Sequence, residues 1–139
     1  MIILDCETYT NYFLLSMLDT DSGHIKDFEL FEGQDFDSKT VTAILKKHTT
    51  LGFNSSNYDL PVIVAALRGD TNAQIKQLSD DIINAPKLWP VLKKHKINIP
   101  QGFDHIDIMP IPIGQASLKI YGGRLHAPKM QGFTMKWRY

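Results

Sequence analysis

Residues 1–31 hold three β-rich runs separated by short turns, and no other stretch constrains the fold as strongly. Short turns join neighbouring strands antiparallel, because a parallel pair needs a crossover of a dozen residues or more. The first run, 1–7, is the apolar Met-Ile-Ile-Leu ending in Asp5 and Glu7. The second, 11–19, reads NYFLLSMLD, and TDSG at 20–23 has the Asp, Ser and Gly content of a turn. The third, 24–31, alternates imperfectly, with Ile25, Phe28, Leu30 and Phe31 apolar. Together they predict an antiparallel meander with one acidic tip.

Beyond residue 31 the pattern alternates helices with brief strands. Asp37 or Ser38 caps a predicted helix over 39–48, with Val41, Ile44 and Leu45 on one face and Lys46, Lys47 and His48 at its end. A strand at 49–53 follows. Asn-Ser-Ser-Asn-Tyr-Asp then leads into a helix over 58–68, with Pro61 in its first turn and Gly69 just past its end. Two more helices, 71–84 and 87–95, are separated by Pro86, and a strand at 103–109 leads into the loop PIPIG. Leu118–Tyr121 begins a helix that Gly122-Gly123 would stop, and the composition from Ala127 onward is loop-like. The order predicts an α/β layer fold, a mixed sheet flanked by helices. By length it is one domain, drawn over 1–126 with a docked or flexible tail at 127–139.

The single cysteine, Cys6, excludes an internal disulfide and a cysteine-cluster zinc site. Its place mid-strand among apolar neighbours predicts a buried thiol rather than a nucleophile. No apolar run is long enough for a membrane span. The N-terminus lacks the basic start of a signal peptide, so the expected location is the cytoplasm, or the host cytoplasm for a phage-encoded chain. Net charge is zero but unevenly spread. Residues 1–60 hold ten acids against four lysines, a balance of −6, and residues 61–139 hold eleven Lys and Arg against five acids, a balance of +6. That asymmetry hints at an acidic site facing a basic surface.

Asp5 and Glu7 carry the chemistry. Side chains two apart on a strand leave the same face, so both carboxylates project together while Cys6 goes the other way. Two such charges about 4 Å apart repel by roughly 4 kcal/mol at an effective dielectric of 20. A cation, a proton or solvent must relieve this, and hard oxygen ligands select Mg²⁺ or Mn²⁺. The plainer alternative is a wet strand end whose acids do nothing.

The run Ile2-Ile3-Leu4-Asp5-Cys6-Glu7-Thr8, followed by a hairpin and then by Gly52-Phe53-Asn54-Ser55-Ser56-Asn57-Tyr58-Asp59, resembles the DEDD exonuclease superfamily. Ser117-Leu118-Lys119 and Tyr121-Gly122-Gly123-Arg124-Leu125 look like the exonuclease region of phage-type DNA polymerases. The resemblance implies a ribonuclease-H-like mixed sheet and metal-dependent 3′→5′ hydrolysis of single-stranded DNA ends, within a polymerase or replication system. It implies two Mg²⁺ or Mn²⁺ ions, with Asp5 bridging them, Glu7 on the ion that carries the attacking water and Asp59 reaching the second. It also places Thr8, Phe53, Asn54, Asn57 and Tyr58 among substrate contacts. Each has a quieter reading. Asp59 is also a first-turn acid favoured by the helix dipole, Tyr58 and Phe53 suit core packing, and Asn54 and Asn57 suit helix capping.

The family completes its site with a late Asp in a Y-x-x-x-D or H-x-x-x-D motif, which this sequence lacks. Leu125 stands four after Tyr121 and Met109 four after His105. The expectation is therefore a C-terminally truncated domain. A second polypeptide or polymerase fragment could supply the acid, or Asp107 or Asp104 could substitute locally. Alternatively catalysis is lost, leaving a nucleic-acid- or protein-binding module. His105 reads as a surface or capping residue. Lys93, Lys94, His95 and Lys96, with Lys119, Arg124, Lys129, Lys136 and Arg138, suit either a phosphate grip or a solvated basic face, with Trp137 and Tyr139 as stacking surfaces. Apolar groups left by a missing C-terminal helix would favour association into a homo-oligomer.

Overall fold

The meander forms as three strands, β1 (Ile2–Tyr9), β2 (Tyr12–Asp19) and β3 (Ile25–Leu30), paired antiparallel in that order. The computed structural model describes residues 1–109, and Met1–Ile108 form one compact unit. The helix start at 118, the division at 126/127, the tail, and the basic and aromatic residues beyond 109 lie outside the described residues.

Two three-residue strands, β4 (Thr50–Gly52) and β5 (His105–Asp107), extend the sheet in parallel on the other side of β1. The strand order is β3-β2-β1-β4-β5, a mixed five-stranded sheet. Four helices accompany it among the described residues: α1 (Ser38–Lys47), α2 (Asp59–Leu67), α3 (Asn72–Asn84) and α4 (Leu88–Lys94). Local chemistry sets their starts. The Asp37 side chain accepts from the Thr40 amide at 3.0 Å, and Thr71 and Gln74 form a reciprocal capping box on α3. Helix α2 is apolar nearly all round, as expected of a helix at the centre of a core.

Alternation along β1 divides its side chains. Ile2, Leu4 and Cys6 join Phe13, Leu15, Met17 and Phe28 in one core with Val41 and Leu45 of α1, Val62 and Ile63 of α2, Ile75 and Leu78 of α3 and Val91 of α4. Burying each large aliphatic or aromatic side chain contributes roughly 1.5–3 kcal/mol against leaving it in water. The odd-numbered β1 residues face away from that core. Strand register aligns Ile25, Leu18, Ile3, Leu51 and Ile106 in a row across all five strands. The next rows are Asp27, Ser16 and Asp5, then Glu29, Leu14 and Glu7. Both predicted ligands of β1 therefore stand on the outward face of the sheet.

Candidate active site

β1 outlasts its parallel neighbour. β4 pairs with it only at Ile2 and Ile3, so the strand continues past Leu4 with one edge unpaired by β4. The edge amide at Cys6 still needs a partner, because a buried unpaired N–H costs about as much as a lost hydrogen bond. Asp59 supplies it: its Oδ1 accepts from the Cys6 amide at 2.8 Å. Residues 53 amino acids apart in sequence thus meet, and the Asp59 carboxylate lies at the peptide between Asp5 and Cys6.

The loop from β4 to α2 delivers Asp59. A Cβ at Gly52 would stand 2.5 Å from both Cβ and Oγ of Ser55, so only glycine lets the turn fold back this tightly. Asn54 has a left-handed backbone, φ +54°, and its carbonyl accepts from the Tyr58 amide at 3.2 Å. The Ser55 carbonyl accepts from the Leu60 amide at 2.9 Å, satisfying a first-turn donor of α2. The expected capping by Asn54 or Asn57 is not found. The N-cap of α2 is Tyr58, with no side-chain cap bond, while the Asn57 amide donates to Asn54 Oδ1. The asparagines brace the turn instead of the helix.

Two polar clusters fix this loop. On one side Tyr58, Thr8 and Ser79 form a ring of hydroxyls, with Thr8 Oγ1 at 3.0 Å from Tyr58 Oη and 2.9 Å from Ser79 Oγ, and Tyr58 to Ser79 at 2.7 Å. Each oxygen can donate to one partner and accept from the next, which satisfies all three within the core edge. On the other side His105 bridges two buried hydroxyls, Nδ1 to Thr50 Oγ1 and Nε2 to Ser55 Oγ, each at 2.7 Å. His105 is therefore half-buried and braces the loop rather than capping a helix. Burial lowers its pKa despite the opposing charges of Asp107 and Asp104, which favours the neutral ring this bridge uses. Asp107, weighed as a substitute ligand, accepts from the Ser56 amide at 2.9 Å and so also steadies the loop. Asp104 accepts from Thr49 Oγ1 at 2.5 Å. Phe53 is half-buried beside the turn.

The electrostatics are those of uncompensated acids. Burial, then the Asp5 charge, pushes the Asp59 carboxyl up to about 7 despite the help of the Cys6 amide. Burial raises Asp5, and burial with the Asp5 charge raises Glu7. Among the described residues no Lys, Arg or His forms an ion pair with any of the three. Such a donor set suits a hard divalent cation in both oxygen chemistry and charge. The grouping itself is not assembled, however. Among the described residues no three His, Cys, Asp or Glu side chains gather as a ligand set. The reason lies in direction: Asp5 and Glu7 leave the outward sheet face, while one Asp59 oxygen turns toward the strand edge.

A cleft of about 500 Å³ opens beside Tyr58. It is lined by Asn54, Asn57 and Tyr58 before and at the start of α2, and by Ile82, Ile83, Ala85 and Leu88 from the end of α3 to the start of α4. The basic stretch at the end of α4 divides on inspection. Lys94 Nζ and His95 Nε2 both donate to Asp81 Oδ2, at 2.9 and 2.6 Å, so those two staple α4 to α3. The sequence gives Ser79 no role and marks His105 only as a surface or capping residue, yet both hold the loop. A serine in the buried register of α3 beside Ile75 and Leu78 was the available sign for the first. Comparison with protein-family models, curated proteins and solved structures gives no match to this chain.

Proposed function

We propose that the chain is a metal-dependent 3′→5′ exonuclease domain acting on single-stranded DNA ends. One observation carries this reading: the Asp59 carboxylate, bound to the Cys6 amide, lies at the strand segment that projects Asp5 and Glu7. A helix-start acid is thus anchored on the strand that carries a pair of acids at its end, and among the described residues no cation forms an ion pair with the three. The strand order and the parallel β1, β4 and β5 are compatible with a ribonuclease-H-like sheet.

Asp5, Glu7 and Asp59 are the residues that would hold Mg²⁺ or Mn²⁺. Bound there, divalent ions would supply Lewis-acid stabilisation to the charge that builds up on a phosphodiester under attack. The rest falls to the chain itself. Gly52, Ser55 and His105 set the loop that positions Asp59, and the hydroxyl ring with Thr8 fixes Tyr58 at the cleft wall. Asn54, Asn57 and Tyr58 present two amides and a phenol ring to a terminal nucleotide in that cleft.

A second reading follows from the unassembled ligand set and the missing late Asp motif: an exonuclease-derived module that binds nucleic acid or protein without cutting. Incubating a 5′-labelled single-stranded DNA with micromolar protein and Mn²⁺ separates the two. The first expects a ladder of 3′-shortened products, lost in Asp5→Asn and Asp59→Asn. Intact substrate in Mg²⁺ and Mn²⁺, with DNA binding unchanged by Asp5→Ala, would establish the second and remove the first.

A further inference from the structure

Helix α4 presents a ring to solvent next in sequence to Leu88, which lines the cleft. Val91 is buried and Leu92 packs against the core, but Trp89, beside the cleft-lining Leu88, is 69% exposed. Ile83, which also lines the cleft, is 67% exposed. An indole left in water adds little to folding, since its large apolar area contributes only when covered. The ring is nevertheless held in place, with Lys93 Nζ 5.2 Å from its centroid.

The charges around it are one-sided. Lys94 and His95 are taken up by Asp81, and Arg68 by Asp70. Lys87, Lys93 and Lys96 are exposed, with no carboxylate within ion-pair reach among the described residues. The outward surface of α4 therefore carries a flat aromatic ring with the Lys93 ammonium beside it, and Lys87 and Lys96 flank the helix in sequence. An occupant must bring planar rings and negative charge at short intervals. An unpaired nucleic-acid strand does so, whereas the bases of a duplex are stacked on each other and hide their faces. The cleft reaches from Leu88, the neighbour of Trp89, to Tyr58, the neighbour of Asp59 in sequence.

We propose that α4 is a docking strip for single-stranded nucleic acid, with Trp89 stacking an unpaired base and Lys87, Lys93 and Lys96 holding the adjoining phosphates. The direction of travel, into the cleft toward Asp59, rests on the exonuclease reading; the strip itself does not.

The test uses the full chain in EDTA, so that cleavage cannot intervene, with fluorescein-labelled oligo-dT as probe. In a Trp137→Phe background Trp89 is the only tryptophan. Saturable quenching of its emission by unlabelled oligo-dT is expected. By anisotropy, Trp89→Ala should weaken binding about 5- to 150-fold, the range set by one base stacked on an aromatic ring. Trp89→Phe, which keeps a ring, should recover most of it. Lys93→Ala should reduce the slope of log affinity against log salt by about 0.7. Absence of quenching, wild-type affinity in Trp89→Ala with an unchanged melting profile, equal binding of duplex, or equal competition by polyglutamate would each overturn the strip. Cleavage in Mn²⁺ with these results negative leaves the exonuclease reading standing. Quenching without any cleavage in Mn²⁺ removes that reading and keeps the strip.

Discussion

Replacing Asp59 with Asn tests the central contact without emptying it, because the amide oxygen can still accept from the Cys6 N–H. The native carboxyl is pushed up to about 7 by burial and the Asp5 charge. In the unfolded chain the same group titrates at about 3.9. Between those values the folded state keeps a proton that the unfolded state has released, so stability falls as pH rises and levels off above the native pKa. The gap corresponds to about 4 kcal/mol over the whole window, at about 1.4 kcal/mol for each tenfold change in proton affinity. Thermal melts in chelated, low-salt buffer from about pH 5 to about pH 8 sample about 3 kcal/mol of it, or on the order of 10 °C for a chain of this length. The Asn variant should lack this component, so that its advantage over wild type grows with pH and levels off above about 7. Adding Mg²⁺ or Mn²⁺ at the alkaline end should raise the wild-type midpoint and leave the variant nearly unmoved. Parallel pH profiles for the two proteins would refute the claim that a buried, uncompensated carboxyl sits on β1.

Three other outcomes follow from the supports of the site. Ser55→Ala leaves His105 Nε2 without its hydroxyl and should cost about 1–3 kcal/mol in urea unfolding, the usual penalty for an orphaned buried polar group. Gly52→Ala drives a methyl group to 2.5 Å from Ser55, so a loss of about 1–3 kcal/mol in urea unfolding is expected. Asp81 is held well below the usual carboxylate range by Lys94, His95 and Gln77. Its contribution is present at neutral pH and disappears as pH falls through that depressed value, so Asp81→Asn should lower the melting temperature at neutral pH and match wild type in strong acid.

The outline of the fold was legible because each early element carries its own local code. Runs of β-branched and aromatic residues give β1 to β3, while Asp37 and Thr71 mark the starts of α1 and α3. Pro61 and Gly69 bracket α2. β4 and β5 were drawn too long, at 49–53 and 103–109, because strands of three residues are fixed by ladder partners rather than by pattern. At the site, alternation alone predicted that Asp5 and Glu7 share a face. The anchoring of Asp59 on a backbone amide was not legible, since the need arises from where β4 stops. Thr8, Tyr58 and Ser79 are scattered over seventy-one positions, and only the packing of α3 on β1 unites their hydroxyls. Asn54 and Asn57 looked like caps because composition cannot distinguish a residue that caps a helix from one that braces the turn before it.

Cys6 gives the molecule a built-in clock. Burial, reinforced by the charges of Asp59, Asp5 and Glu7, pushes its thiol well above the usual range, so in the closed state it is both hidden and protonated. An alkylating reagent can reach the sulfur only when the core around β1, against which α2 and α3 pack, opens. Because the same residue's amide holds Asp59, the labelling rate times the opening of this junction, and any ligand that tightens it must slow the reaction.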